Sequence, residues 1–263
     1  MAEPTEQPTD QPTDQHGVRS VHRALDILAL LTEERPQVTV REMVEATGLA
    51  KTTVLRLVAT LEQGGLLWGT ANGYMAGPGL WRWAHLVRRS WELPPDIQRG
   101  MRELAARQRE TVNVYVRRGI HRVCIAQQES PHPLRHVVHV GDELLLWAGA
   151  SAKILLRDAD PNLLDRIARG SPYGPDHVRR LRQWADEAAA RGYAVSHGER
   201  EDGLSAVAAP ILGRSERVVA ALGLSGPTVR FTEQRIAEFG ADLKRIAGQM
   251  SELGFDHPLA STS

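Results

Sequence analysis

Apolar positions begin to repeat every three or four residues at Val21, and Val21, Ala24, Leu25, Leu28 and Leu31 fall on one helical stripe. Ser20 stands where an N-cap would start that helix, and Arg35-Pro36 ends the pattern. A second start signal follows at once. Thr39 and Glu42 have the spacing of a capping box, Val38 and Met43 that of a hydrophobic staple, and Gly48 stops this short helix near Thr47. A third helix is predicted over 50–63, with Val54, Leu57, Val58 and Leu61 buried. Its opposite face centres on Thr52, Arg56 and Ala59, with Leu55 and Thr60 beside them and Lys51 at the entrance. After Gly64-Gly65 come two short apolar segments, 66–68 and 74–76, joined by a turn containing Asn72-Gly73. Helix, short helix, turn, helix, hairpin is the order of a winged helix-turn-helix.

Residues 79–91 form a further helical pattern with Leu80, Trp83, Ala84 and Val87 on one face, and Leu93-Pro94-Pro95 interrupts it. Beyond a helix at 96–109, the pattern turns mixed. Val112, Val114 and Val116 alternate as in a strand, and further strands are predicted at 123–126, 134–140, 193–196, 204–212 and 217–225. Helices are predicted at 150–157, 161–168, 176–191 and 232–253. The fold class is α+β: an N-terminal winged helix-turn-helix over 17–78, a linker helix over 79–94, and a C-terminal α/β domain over 95–256. Residues 1–16 repeat Gln-Pro-Thr-Asp twice and hold almost nothing apolar, so they are expected to be disordered, with a second tail at 257–263.

Composition narrows the function classes. Lys+Arg and Asp+Glu are both 32 in 263 residues, which excludes a uniformly basic nucleic-acid coat but not a local basic patch. The single cysteine, Cys124, excludes an internal disulfide framework and a Cys-rich zinc site, and fits a small core residue. No apolar run reaches the roughly 18 residues of a membrane span, and no secretory leader is legible, so a cytoplasmic protein is expected. No P-loop, dinucleotide fingerprint, nucleophile elbow or convincing metal-ligand group is present, and the pocket serines have no paired His or Asp in sequence. No catalytic residue, cofactor or metal is therefore expected. His136 and His139, on a predicted strand, point to opposite faces, and Trp81, Trp83 and Trp91 read as core or dimer packing.

The second helix of a helix-turn-helix pair meets base edges in the major groove with its N-terminal residues. Here that helix opens Lys51-Thr52-Thr53, and Arg56 follows one turn later, placed to fork onto a guanine edge. Arg19 and Arg23 are placed for phosphates. Thr53 has two readings, a base or phosphate contact and a helix-capping hydroxyl. Nine basic and seven acidic residues over 17–93 leave a net charge of only +2, so geometry rather than charge carries the reading.

These residues resemble a known family. Ser20-Val-His-Arg-Ala-Leu-Asp-Ile-Leu, Gly48-Leu-Ala-Lys-Thr-Thr-Val-Leu-Arg-Leu and Gly73-Tyr-Met-Ala-Gly are similar to the DNA-binding domain of IclR-type bacterial transcriptional regulators. Gly192-Tyr-Ala-Val-Ser, Glu199, Gly203-Leu-Ser-Ala-Val-Ala-Ala-Pro and Leu224-Ser-Gly-Pro resemble that family's effector domain, while Leu212 and Gly213 depart from its usual aromatic and Asp or Asn. Residues 111–129 and 147–155 also resemble the branch that includes NdgR-type regulators of amino-acid biosynthesis. The resemblance implies a GAF-like effector-binding domain. It also implies a double-stranded operator as partner and a homodimer or a dimer of dimers.

Three stretches rich in small residues, 148–153, 205–210 and 223–227, fit either close helix-on-sheet packing or the wall of a small-molecule pocket. Free N–H groups near Gly149–Ser151 are placed to hold a carboxylate. The resemblance implies a pocket lined at Ala150, Ser151, Ser196, Ala206, Gly223 and Ser225. Ser196, Ala206 and Gly223 stand where the family's small-acid binders carry Asp, Cys and Ser. That implies a roomier, more apolar pocket, and an organic acid or larger metabolite rather than glyoxylate or pyruvate. The identity of the effector, the operator and the sign of regulation are not legible.

Overall fold

The computed structural model describes residues 18–255 and 257–258, without the side chains of 88–90. The expected tail over 1–16, and 259–263 of the second, lie outside the described residues. The chain divides into two compact units, residues 1–89 and 90–263.

In the first unit, α1 (Arg19–Leu28), α2 (Val40–Thr47) and α3 (Lys51–Gln63) pack around Ile27, Val38, Met43, Val54, Val58, Leu61 and Leu67. The α2 start behaves as its local chemistry dictates. The Glu42 carboxylate accepts the Thr39 N–H at 2.7 Å, and the Thr39 hydroxyl accepts the Glu42 N–H at 3.3 Å. The Thr39 N–H and the Thr39 hydroxyl, both donating to the Glu42 carboxylate at 2.7 Å, hold it below its usual range. Gly48 takes the left-handed conformation, φ +65°, that ends α2 and starts the turn into α3. A hairpin of β2 (Leu67–Thr70) and β3 (Gly73–Ala76) follows, and β1 (Gln37–Val38) pairs with β3 as a third strand. Gly73 is required there. At φ +133° a side chain is strained, and a Cβ would stand 2.8 Å from the Val38 carbonyl oxygen.

Two expectations for α1 fail. The helix begins at Arg19 after Val18, with no side-chain cap, so Ser20 is not its N-cap. The buried residue is Ile27, whereas Val21 and Leu25 are 54% and 56% exposed. Ala24, Leu28 and Leu31 of the apolar stripe pack against the core, while Val21 and Leu25 stand mostly exposed. Trp81 and Trp83 on α4 (Gly79–Trp91) are likewise exposed, so neither is core packing within this unit.

The second unit is a six-stranded antiparallel sheet in the order β6-β5-β4-β9-β8-β7, the GAF-like arrangement the resemblance implies. Its strands are β4 (Thr111–Arg118), β5 (His121–Gln128), β6 (Glu143–Leu145), β7 (Ala194–His197), β8 (Leu204–Leu212) and β9 (Val218–Pro227). Helices α5 (Pro95–Gln108) and α9 (Glu233–Glu252) cover one face, over Val112, Val114, Val116, Ile125 and Leu222. Helices α6 (Ala150–Leu155), α7 (Pro161–Arg169) and α8 (His177–Arg191) cover the other, over Tyr115, Cys124, Ala208 and Ala221. The period of two sends alternate residues of β4 and β5 to opposite cores. Residues 134–140 are not a strand. Their backbone is satisfied by side chains instead: Thr111 Oγ1 donates to the His136 carbonyl at 2.7 Å, and Val138 N–H donates to Gln127 Oε1 at 2.9 Å. The ladder beside β5 resumes only at β6.

Candidate functional site

The first unit presents a face of α3. Lys51, Thr52, Arg56, Ala59 and Thr60 are exposed and Thr53 is half-buried. Ala50 precedes the helix with no side-chain cap, so the capping reading of Thr53 falls. Lys51, Arg56, Arg19 and the half-buried Arg23 form no ion pair among the described residues. Arg41, by contrast, is spent on Glu45 at 2.8 Å. Arg56 and Thr53 also border a groove shared with Ser20, Val21, Ala24 and Leu25 of α1. The hairpin strands β2 and β3 carry no Lys or Arg. Free positive charge thus stands on α1 and at the start of α3, with Arg35 and Arg82 also without an ion pair among the described residues.

The second unit holds a cavity of about 220 Å³ between β4, β5, β8 and β9, the start of α6, and the segments 136–144 and 199–204. Ala150, Ser151, Ser196, Ala206, Gly223 and Ser225 all line it. Antiparallel register explains part of this: Ser196 pairs with Ala206, Ala206 with Ser225, and Gly223 with both Asn113 and Ala208. Neighbouring strands therefore bring their small residues side by side, and no bulky side chain fills the space between them.

The cavity also contains groups the sequence reading did not assign to it: Asn113, Tyr115, Arg122, His136, Asp142, Glu199, Arg200 and Glu201. Arg122 is 4% exposed. Its Nη1 donates to the carbonyls of Ala148 at 2.8 Å and Leu145 at 3.3 Å, and its guanidinium lies 5.5 Å from the Tyr115 ring centroid. Its Nε is buried without a hydrogen bond. Burial lowers its pKa to about 10, so it stays charged at neutral pH. The signal for it was present: Arg122 shares a face with the buried Cys124 two residues on, and so points inward.

His136 also enters the cavity. Its Nδ1 and Ser225 Oγ are 3.0 Å apart, so the serine does have a histidine neighbour, contrary to the sequence reading. Burial holds this imidazole below its usual pKa. Asn113 Nδ2 completes the group with a bond to Ser225 Oγ at 3.4 Å. At the start of α6 the expected free N–H of Gly149 is engaged: it donates to Glu199 Oε2 at 3.0 Å. Glu199 in turn pairs with the buried Lys153 at 2.5 Å, and Lys153 donates to the Val195 carbonyl at 2.7 Å. Cys124 is fully buried beneath this wall, and burial pushes its thiol up to about 12, so at neutral pH it is an inert packing group.

Known proteins place both units. The family description "Bacterial transcriptional regulator IclR C-terminal" matches residues 87–252, and "IclR helix-turn-helix domain" matches 20–68. The chain is 29% identical over 241 residues to the HTH-type transcriptional regulator KipR of Bacillus subtilis (strain 168), covering 89% of this chain and 96% of KipR. An IclR-family regulator structure from Rhodococcus sp. is 42% identical with a TM-score of 0.62, covering 94% of this chain and 98% of its own. An IclR-type regulator structure from Alicyclobacillus acidocaldarius is 26% identical with a TM-score of 0.72, covering 90% of this chain and 99% of its own. With a helix-turn-helix whose α3 cations are free, a cavity-bearing C-terminal unit, and family matches running through both, the chain belongs to the IclR family of DNA-binding bacterial transcriptional regulators.

Proposed function

We propose that this regulator binds a pseudo-palindromic operator as a homodimer or dimer of dimers, and that a small organic effector in the C-terminal cavity sets its operator affinity. DNA contact falls to Lys51, Thr52, Thr53 and Arg56 at base edges and to Arg19 and Arg23 at phosphates. The exposed apolar residues Val21 and Leu25 on α1 and Trp81, Leu86 and Val87 on α4 support self-association. The observation that carries effector control is the cavity itself, with all six small or hydroxyl positions around it. An apolar cavity of about 150 Å³ takes benzene, so about 220 Å³ takes roughly nine non-hydrogen atoms. That exceeds pyruvate and leaves room for an apolar part.

A metabolite thermal-shift screen on the full chain identifies binders. Operator release is then measured against effector concentration for the wild type and Gly223→Val. A Cβ at Gly223 meets nothing closer than the Val207 carbonyl oxygen at 3.4 Å, so the substitution fills the cavity without forcing the backbone. The response to effector is expected to vanish while basal operator binding survives. An unchanged dose response places the effector elsewhere.

The Ser225–His136 pair favours one other reading, an acyl-transfer enzyme. Such a pair needs a third group to orient the imidazole, and no carboxylate hydrogen-bonds His136 among the described residues. Cleavage of a nitrophenyl ester by the wild type, lost in Ser225→Ala, would revive it.

A further inference from the structure

We infer that Arg122 is the charge-selecting residue of the cavity, seating a carboxylate group of the effector against its guanidinium. The inference rests on the cavity being the effector site. Three observations converge on it. First, among the described residues Arg122 is a buried cation with no acidic hydrogen-bond partner, and its Nε has no hydrogen bond. An unpaired charge out of water is costly, and an anion delivered into the cavity relieves that cost. Second, none of the three acids that share the cavity hydrogen-bonds Arg122 among the described residues: Glu199 is held by Lys153 and the Gly149 N–H, Asp142 accepts the His139 N–H, and Glu201 makes no ion pair with it. Third, the Gly149 N–H of the expected carboxylate seat is already filled by Glu199, and of the two cations that line the space, Arg122 and Arg200, Arg122 is the buried one.

Nη1 is occupied by the carbonyls of Leu145 and Ala148 and Nε is closed off from the cavity, so the anion meets Nη2. Nη2 offers a charge-assisted N–H contact to one carboxylate oxygen. Gly149 fits this arrangement. A Cβ there would stand 3.2 Å from Nη2, at a backbone φ of +100°, so a side chain at 149 would crowd that donor. The effector's far end then reaches the Asn113–Ser225–His136 group, which can exchange a hydrogen bond with a hydroxyl or carbonyl. Because the same guanidinium holds the two carbonyls just before α6, a seated anion and the 145–149 segment share one anchor.

The test compares acids with their neutral isosteres on the full-length chain. Benzoate and benzamide, cyclohexanecarboxylate and its carboxamide, and hexanoate and hexanamide are titrated by calorimetry at millimolar concentration, with operator binding followed in parallel. At least one acid is expected to bind ten times or more tighter than its amide. Arg122→Gln is expected to erase that preference, and Arg122→Lys to keep part of it. Acid and amide binding equally well, or no acid binding at all, overturns the assignment whether or not the variants fold. If both members of a pair bind equally and release operator, the Arg122 seat fails while the effector cavity stands. If acids alone bind but operator affinity never moves, the Arg122 seat stands and effector control through this cavity fails.

Discussion

The two units treat their unpaired cations in opposite ways. On the helix-turn-helix, Lys51 and Arg56 project into solvent with no acid beside them. Water solvates such charges at little cost, so they are free to be used wherever a phosphate or a guanine edge arrives. In the C-terminal unit Arg122 is shut away, held by two carbonyls and a tyrosine ring, and its charge is costly until something compensates it. The difference teaches how a ligand's size is encoded. A surface cation fits an extended polyanion, whereas a buried one in a cavity of about 220 Å³ fits a small anion only.

The surface half of that comparison is broken or sharpened most strongly by salt. Of the four proposed contact cations per protomer, Arg19 and Arg23 face phosphates, which gives a dimer about four phosphate contacts. The slope of log affinity against log salt is then about −4, or roughly two decades lost between 50 and 200 mM. A slope near zero would mean that these side chains stay in water. A smaller effect tests the packing behind the face. Ile27→Ala is expected to cost the first unit about 2–5 kcal/mol in thermal or denaturant unfolding, while Leu25→Ala changes stability by less than about 0.5 kcal/mol. Equal effects would mean that the α1 burial described above is wrong. The smallest effect is local: Thr39→Ala removes the α2 cap and is expected to cost about 1 kcal/mol, with DNA affinity falling only as far as the unit unfolds.

How legible each part was follows from how local its physics is. The α2 cap and the Gly48 turn depend on residues within a few positions of each other, and sequence spacing shows them directly. The buried side of α1 depends on where α2 and α3 lie, so the stripe through Val21 and Leu25 misled while Ile27 carried the contact. Residues 134–140 were misread because Thr111 and Gln127 side chains take over the bonds a ladder would make, and no hydropathy pattern records that substitution. The six cavity positions came from family resemblance alone; composition by itself left packing and pocket undecided. Arg122 was missed because a charge in a strand reads as solvent-facing unless its alternation with Cys124 is followed across.

The most direct measurement of the account is the ratio of operator to random-sequence DNA affinity for the wild type, Arg56→Ala and Arg122→Gln, at one salt concentration and without effector. An operator selected from random-sequence DNA serves as the specific site. Arg56→Ala is expected to lower the ratio by the about 1–3 kcal/mol that one good base contact contributes, while Arg122→Gln leaves it at the wild-type value. A wild-type ratio in Arg56→Ala would show that the exposed arginine does not read bases, and a ratio lost only in Arg122→Gln would reverse the division of labour between the two units.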